Sequence, residues 1–259
     1  MPRAKSALSL DEWYVISLRP LGQHAGVRRA AAQFGARTFA LSVLAIEPQD
    51  AGAALENALA CSTVIVTSPN AARLVQTSGK LVSRREQRWF APGSGTAAAL
   101  RRRGITHVYV PENGADSEAL LALPALANLT GQSVGLITAP GGRGLLAKTL
   151  LDRGAHLHVA EVYRRVVRAP SAQRLRTLAA LPKPTALLLS SADAFASLWQ
   201  LLSAADRIQL IQRPCVVSSE RLATQAAVLG FTHIVLATSA QPKNLLAALA
   251  AHASEQRFR

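Results

Sequence analysis

The amino-acid sequence predicts an α/β protein with two parallel-sheet α/β domains, internal duplication and a two-stranded β-ladder hinge that joins the domains. The first observation is a strand, hydroxyl and helix unit at residues 64–75, VIVTSPNAARLV. Its β-branched run predicts a buried strand, and the Ser-Pro pair after the run predicts a helix start. The same unit returns at 186–198, with a Ser-Ser pair in place of Thr-Ser.

Two further repeats extend the duplication over most of the chain. Residues 96–110 match 222–236, including a shared Thr-His pair, and 18–37 match 138–156 more loosely. The segments therefore run in the order A (18–37), B (64–75) and C (96–110), and then A′ (138–156), B′ (186–198) and C′ (222–236). Two long copies of this kind indicate a duplicated α/β domain and exclude a solenoid of many short repeats.

The first domain opens with a predicted strand at 13–18 and a helix that ends at Gly35, a residue type favoured just after helices. The next run, 37–48, exceeds the about five or six residues of an ordinary strand. We therefore expect it to cross into the second domain, where a short helix follows at 51–60.

The second domain continues from the 64–75 unit with alternating strands and helices. Its predicted elements are a strand and turn at 89–94, a helix at 94–103, a strand at 107–111, a helix from Ser117, a strand at 134–140 and a helix ending at Gly154. A second overlong strand, 156–167, then leads back. One outbound and one returning strand together predict the two-stranded hinge.

The chain completes the first domain after residue 168 with further alternating elements. These are a helix at 171–181, the 186–198 unit, a strand at 215–219, a helix at 220–230, a strand at 233–237 and a helix from Pro242. We thus expect a discontinuous first domain, residues 1–39 plus 168–259, and a second domain at 46–158. Linker strands at 40–45 and 159–167 would join them.

Length and composition predict a cytoplasmic protein without a membrane segment. No apolar run in the 259 residues is long enough to cross a bilayer, and the first residues, MPRAKSALSLDEW, lack a signal core and predict a frayed tail. Cys61 and Cys215 lie far apart in the sequence. We expect both to be reduced, with a disulfide or a metal pair as the alternative.

The net charge of +14, from 29 Lys and Arg against 15 Asp and Glu, favours anionic partners. Nucleic acid is disfavoured, because the basic residues are scattered and aromatic residues make up only 5% of the chain. The densest basic clusters, 84–88 and 101–103, are typical of solvated faces. An anionic small molecule is the remaining class of partner.

Ligands of parallel α/β folds bind beyond the carboxyl ends of the strands. The predicted turns there carry hydroxyls and helix N-termini, which suit carboxylate or phosphate groups. Ordinary helix capping is the alternative for any single Ser or Thr. The residues at these turns are Arg19, Thr67, Ser68, Asn70, Gly93, Ser94, Thr96, Thr138, Gly141, Gly142, Arg143, Ser190, Ser191, Ser218, Ser219 and Arg221.

The motifs of common catalytic and cofactor sites do not occur in the sequence. The glycine-rich segment 140–149 lacks the Lys-Ser/Thr pair of a phosphate-binding loop, and there is no GxGxxG. The six histidines show no metal-ligand spacing, and we expect His107 and His233 to be structural. We therefore expect no metal site, and a reaction that depends on positioning more than on acid–base groups.

An ordered series of short motifs is similar to the uroporphyrinogen-III synthase family. The series is Leu18-Arg19-Pro20, a crossing strand ending at Pro48, Thr-Ser-Pro-Asn-Ala at 67–71, Gly-Ser-Gly-Thr-Ala at 93–97, Gly-Gly-Arg at 141–143, Val-Tyr-Arg-Arg at 162–165, Ser-Ser at 190–191 and Ser-Glu-Arg at 219–221. The resemblance covers roughly residues 13–250. It implies a monomeric, cofactor-free enzyme that closes the linear tetrapyrrole hydroxymethylbilane into uroporphyrinogen III, inverting the last ring through a spiro intermediate and releasing water.

The resemblance also implies roles for individual residues. Tyr163 would assist departure of the substrate hydroxyl group, with packing of the ladder as the alternative. The residues that would bind the substrate are Arg19, Ser68, Asn70, Gly93, Thr96, Arg143, Ser191, Ser218 and Arg221. Leu18 and Leu222 stand where the family often has threonine, so side-chain contacts are not expected there.

Two other functions explain part of the sequence. A non-enzymatic two-domain hinge protein that binds an anionic small molecule would also show the duplication, the linkers and the hydroxyl-rich turns. A basic nucleic-acid-binding α/β protein would explain only the charge, and its binding would depend strongly on salt.

Overall fold

A computed structural model gives the architecture of the chain. It describes residues 8–75, 81–114, 116–141 and 144–257. Contacts between Cα atoms divide the chain into two compact units. Unit 1 comprises Met1–Ala45 and Val166–Arg259, and unit 2 comprises Ile46–Arg165.

Strands and helices alternate along most of the described chain. The strands are β1 (Tyr14–Ser17), β2 (Arg37–Ala40), β3 (Leu44–Pro48), β4 (Thr63–Val66), β5 (Arg88–Phe90), β6 (Ser133–Thr138), β7 (His156–Glu161), β8 (Tyr163–Val167), β9 (Thr185–Leu189), β10 (Cys215–Val217) and β11 (Ile234–Leu236). The helices are α1 (Ala25–Gln33), α2 (Gly52–Ala60), α3 (Pro69–Leu74), α4 (Ser94–Arg102), α5 (Ser117–Leu121), α6 (Leu145–Asp152), α7 (Ala172–Ala179), α8 (Ala192–Leu201), α9 (Ala204–Ile211), α10 (Glu220–Val228) and α11 (Pro242–Arg257), with a 3₁₀ turn at Pro124–Leu126.

Unit 1 is built on a five-stranded parallel sheet in the order β11-β10-β9-β1-β2. Both faces of the sheet are buried. Ile16 of β1 packs into one apolar cluster and its neighbour Val15 into another on the opposite face. The continuous apolar strands read from the sequence are the expected pattern for a parallel sheet covered on both sides.

Unit 2 is built on a four-stranded parallel sheet in the order β5-β4-β6-β7. The strand predicted at 107–111 is reduced to one isolated bridge between Tyr109 and Phe90, whose rings stack with centroids 5.0 Å apart. Pro111 has no N–H for a ladder hydrogen bond, which limits pairing at this edge.

The two sheets repeat the same strand order, which confirms the duplication predicted from the sequence. With the Tyr109 segment counted as an edge, the order in unit 2 is Tyr109-β5-β4-β6-β7, against β11-β10-β9-β1-β2 in unit 1. The repeated strand, hydroxyl and helix units are β4 with α3 and β9 with α8, which occupy equivalent positions in the two sheets.

Each overlong strand of the prediction is two shorter strands. The first breaks between β2 and β3, where Leu41 and Val43 are buried in the core of unit 1. The second breaks between β7 and β8 at Val162, which is buried in the core of unit 2. Burial of these apolar side chains turns the chain out of each large sheet, a tertiary effect that the strand pattern alone does not show.

Strands β3 and β8 form the expected two-stranded ladder. The amide of Gln49 donates to the Val162 carbonyl at 2.9 Å, and the amide of Arg168 donates to the Val43 carbonyl at 2.9 Å, so the strands are antiparallel. Both passages of the chain between the units, at residues 45–46 and 165–166, lie on this ladder. The predicted fold class is confirmed.

The N-terminal segment packs into unit 1 earlier than predicted. Leu10 is fully buried and its amide donates to the Phe34 carbonyl at 2.7 Å, so the chain is ordered against α1 from this residue. The first seven residues of the expected tail lie outside the described residues. Within the described ranges, no helix is both long and apolar enough to span a bilayer.

Both cysteines are free and buried, as expected. Burial raises the pKa of the Cys215 thiol to about 12, and that of Cys61 is also raised by burial. Neither side chain is therefore a reactive thiolate near neutral pH.

Gly135 of β6 tests the contact between the unit 2 sheet and α2. A Cβ at this position would lie 2.0 Å from the Ala58 carbonyl oxygen, so we expect Gly135→Ala to destabilise the protein by about 1–3 kcal/mol. Gly95→Ala is the control, because its Cβ would meet only Pro69 at 3.8 Å. Equal urea midpoints for the two variants would contradict the close approach of sheet and helix.

Candidate functional sites at the strand ends

Hydroxyl groups line the carboxyl ends of β4 and β6 in unit 2. Thr67 directly follows β4, and its Oγ1 donates to Oγ1 of Thr138, the last residue of β6, at 2.9 Å. Because parallel strands end at the same edge of a sheet, residues that are 71 positions apart meet here.

Ser68 caps α3 and also binds a buried tyrosine. Its Oγ accepts a hydrogen bond from the Ala71 amide at 3.0 Å and lies 2.9 Å from the hydroxyl of Tyr163 at the start of β8. Tyr163 is 2% exposed, and Cζ of the Arg165 guanidinium lies 5.9 Å from the centre of its ring. A phenol and a serine hydroxyl that share a hydrogen bond can pass a proton without either being charged at rest.

A pocket of about 320 Å³ opens beside this pair, a volume in the range of small-molecule sites. Hydroxyls line part of it, and Glu161 and Arg165 contribute charges of opposite sign. The lining residues are Thr67, Ser68, Ser117, Leu136, Thr138, Ala139, Gly141, Gly144, Leu145, Leu146, Ala147, Val159, Glu161 and Arg165.

Of the predicted residues at the starts of α3 and α4, Thr96 is buried, while Asn70 and Gly93 are half-buried. Thr96 is 3% exposed, and its amide donates to the carbonyl of Gly93, the residue that precedes α4, at 3.1 Å. Asn70 accepts from the Arg73 guanidinium at 3.0 Å. Burial, with a smaller repulsion from Arg102, lowers the pKa of Arg73. The predicted Gly142 and Arg143 lie outside the described residues.

Unit 1 carries a second polar edge at the ends of its strands. Ser191 caps α8 by accepting from the Ala194 amide at 3.3 Å, as the repeat predicts from Ser68. The Ser218 amide donates to the Leu189 carbonyl at 3.1 Å, and Arg221 is exposed in the first turn of α10. The Arg19 guanidinium donates to the Ala240 carbonyl.

His24 joins this edge, although sequence reasoning gave it no role. Its Nδ1 lies 3.0 Å from Ser17 Oγ and its Nε2 lies 2.7 Å from Ser42 Oγ. The pKa of His24 is lowered by burial first, and then by the charges of Arg28, Arg174 and Arg19. A lone histidine with partners on two other segments leaves no spacing signal in the sequence.

Arg174 is another residue of this edge that the sequence did not single out. Its guanidinium donates to the Ala40 carbonyl at the end of β2 and lies 3.8 Å from the centre of the Phe39 ring. Across the described ranges, no three His, Cys, Asp or Glu side chains group as metal ligands.

Comparison with known proteins points to one family. Residues 26–247 match the family model of Uroporphyrinogen-III synthase HemD. Uroporphyrinogen-III synthase from Salmonella typhimurium is 36% identical over 167 residues, and that from Escherichia coli is 33% identical over 163 residues. Each alignment covers 62% of this chain and 66% of the relative, so the chain spans about two thirds of the length of the curated relatives it matches.

Solved structures show the same fold at low sequence identity. A mutant uroporphyrinogen III synthase from Thermus thermophilus gives a TM-score of 0.62 at 19% identity and covers 95% of this chain and 99% of its own. The enzyme from Helicobacter pylori gives a TM-score of 0.62 at 14% identity and covers 95% and 100%. These structures confirm the fold, and the family resemblance read from the motifs is confirmed by the family model.

The two equivalent caps, Ser68 and Ser191, give a matched pair of variants. Removing either cap should cost about 1 kcal/mol. Ser68→Ala should cost about 1 kcal/mol more than Ser191→Ala, because it also leaves the buried Tyr163 hydroxyl without its partner.

Urea unfolding measures both losses, and hydrogen exchange at the Ala71 and Ala194 amides reports each cap locally. In the Tyr163→Phe background the difference between the two Ser→Ala variants should disappear. Equal losses in the wild-type background would show that the Ser68–Tyr163 contact contributes no stability.

Proposed function

The chain belongs to the uroporphyrinogen-III synthase family, and from this premise we propose that it converts hydroxymethylbilane into uroporphyrinogen III with inversion of the last pyrrole ring and loss of water. The observation that carries the proposal is the match over residues 26–247, which includes the polar strand ends of β4, β6, β9 and β10. The non-enzymatic hinge protein is not favoured, because the named relatives are synthases.

Departure of the bilane hydroxyl group requires a proton, since it must leave as water. Tyr163 is the proposed source, and because its hydroxyl is buried against Ser68, the proton would pass through Ser68. Ser68 would donate its proton to the leaving hydroxyl and receive one from Tyr163, while the carbon–oxygen bond breaks. The electron-poor carbon that remains is then attacked by the substituted carbon of the last ring, which leads to the spiro intermediate.

Carboxylates on every ring of the substrate would be held at the strand ends. In unit 2 the proposed carboxylate contacts are Asn70, Gly93 and Thr96 at the starts of α3 and α4, while Ser68 contacts the leaving hydroxyl group of the substrate. In unit 1 they are Arg19, Ser191, Ser218 and Arg221, and Arg143 remains a proposal from the sequence. The partial positive charge at helix N-termini and the net charge of +14 both favour anionic groups. Orientation of the bilane would supply most of the advantage over spontaneous closure.

We further propose a cytoplasmic, monomeric enzyme that needs no cofactor and does not bind nucleic acid. The proposed domains are residues 1–39 plus 168–259 and residues 46–158, with linker strands at 40–45 and 159–167. Sedimentation of the purified protein measures its oligomeric state and should show a monomer. Sedimentation together with the enzyme that supplies the bilane would detect any association between the two enzymes.

The activity is tested by supplying freshly generated hydroxymethylbilane with and without the protein, oxidising the products and separating the uroporphyrin isomers. Isomer III in excess over the spontaneous isomer I would establish the synthase. Isomer I as the main product in both tubes would refute it.

Tyr163→Phe separates proton donation from positioning. We expect the rate of isomer III formation to fall by about 100-fold or more, the usual contribution of a general acid. Tyr109→Phe is the matched control, because Tyr109 is 51% exposed and should leave the rate unchanged. An unchanged rate for Tyr163→Phe would remove its hydroxyl from the mechanism and leave the positioning residues to account for the reaction.

A further inference from the structure

A buried imidazole links two strand ends in unit 1. His24 is 5% exposed and Ser17, the last residue of β1, is 1% exposed. Nδ1 of His24 lies 3.0 Å from Ser17 Oγ, and Nε2 lies 2.7 Å from Oγ of Ser42, two residues beyond β2. One side chain thus ties the carboxyl ends of two neighbouring strands.

The directions of the two hydrogen bonds of His24 follow from a third hydrogen bond, which Ser42 makes to the backbone of Arg19. The Ser42 hydroxyl donates to the Arg19 carbonyl at 3.1 Å. A serine hydroxyl has one proton, so Ser42 Oγ must accept from His24 Nε2–H. Nδ1 then carries no proton and accepts from the Ser17 hydroxyl. Only the neutral Nε2–H tautomer satisfies every group in this chain of hydrogen bonds.

The series of hydrogen bonds from Ser17 through His24 and Ser42 ends at the backbone of the turn that carries Arg19. This turn is also held by the amide of Leu21, which donates to the Leu44 carbonyl at 3.0 Å, and by that of Gln23, which donates to the Pro20 carbonyl at 2.9 Å. Gly22 has φ +79°, so the turn reverses sharply. The imidazole therefore fixes the backbone from which the Arg19 side chain projects.

The charged groups that act on His24 are all arginines. Arg28 comes from α1, which begins just after His24, Arg174 from α7 and Arg19 from the turn, and they add to the effect of burial in lowering the pKa of His24. The neutral form is therefore favoured near neutral pH. A protonated imidazole would donate from both nitrogens, leave the Ser17 hydroxyl without its acceptor and repel the three guanidinium groups.

We propose that His24 is a positioning residue, which holds Arg19 in place for a substrate carboxylate only while its imidazole is neutral and protonated on Nε2. The proposal rests on the proposed function in one respect, namely that Arg19 binds the substrate. The arrangement of the imidazole itself does not depend on it.

The first test needs no activity. In protein labelled with ¹⁵N-histidine, the His24 signals, assigned by their loss in His24→Gln, should show the Nε2–H tautomer at pH 7. They should titrate below the ordinary histidine pKa of about 6.5. The Nδ1–H tautomer, or an imidazole that is charged at pH 7, would overturn the proposal.

The second test measures the affinity for uroporphyrin III, the oxidised product, and the KM for the bilane. Ser42→Ala leaves the imidazole in place but releases the Arg19 carbonyl. It should weaken uroporphyrin III binding and raise KM by about three- to tenfold, the effect of one hydrogen bond, with kcat within about twofold. Arg19→Ala should give at least the same loss, and Ser42→Ala should then cost nothing more in that background.

The proposal predicts the direction in which uroporphyrin III affinity changes with pH. As pH falls through the folded-state pKa of His24, the imidazole gains a proton, so uroporphyrin III affinity should fall on the acid side in the wild type. His24→Gln keeps an amide donor for Ser42 but cannot titrate, and should lose this acid limb while retaining much of the affinity at pH 7. The control is His233→Gln. His233 is exposed and lies at the amino end of β11, whereas His24 lies at the carboxyl ends of β1 and β2, so this variant should keep the wild-type pH profile of uroporphyrin III affinity.

The failures of the two proposals are distinguishable. A wild-type protein that forms no isomer III but binds uroporphyrin III with the stated dependence on His24 and Ser42 would refute the synthase and support the positioning role. An active wild type whose Ser42→Ala and His24→Gln variants keep the same affinity, KM and pH profile would refute the positioning role and leave the synthase standing.

Discussion

The organisation of both units depends on burial of a parallel sheet on both faces. Helices must cover each face, so most strands are followed directly by a helix, apart from β2 and β7, which lead into the ladder strands. The N–H groups in the first turn of each such helix need partners. Ser68 and Ser191 supply such partners from side chains, at equivalent positions of the two sheets. Hydroxyl groups thereby lie at the carboxyl edge of each sheet, as at Thr67 and Thr138 in unit 2 and Ser17 and Ser191 in unit 1.

This constraint also explains how much of the fold could be predicted from the sequence. The strand, hydroxyl and helix units are local, so β4 with α3 and β9 with α8 were predicted close to their observed positions. The two overlong runs were not divided correctly, because the breaks at Leu41 and Val162 depend on which core receives each apolar side chain. The weak strand at Tyr109 depends on its position at the sheet edge, which local pattern does not specify.

In the candidate sites too, local features were predictable from the sequence and contacts between distant residues were not. Ser68, Ser191 and Tyr163 stood out because caps and ordered motifs are visible along the chain. The contact between Ser68 and Tyr163 was not predictable, since the residues are 95 positions apart. His24 was missed because its partners, Ser17 and Ser42, are 7 and 18 positions away and carry no motif.

The duplication has a consequence for the origin of the fold. Unit 1 contains segment A of the first copy with B′ and C′ of the second, and unit 2 contains B and C with A′. A single copy therefore holds one full set of strands but sends them to two different sheets. Two separate half-length chains could form both sheets by exchanging segment A, as a symmetric swapped dimer. Gene fusion would then have turned this exchange into the two crossings on the β3–β8 ladder, after which the two halves were free to diverge.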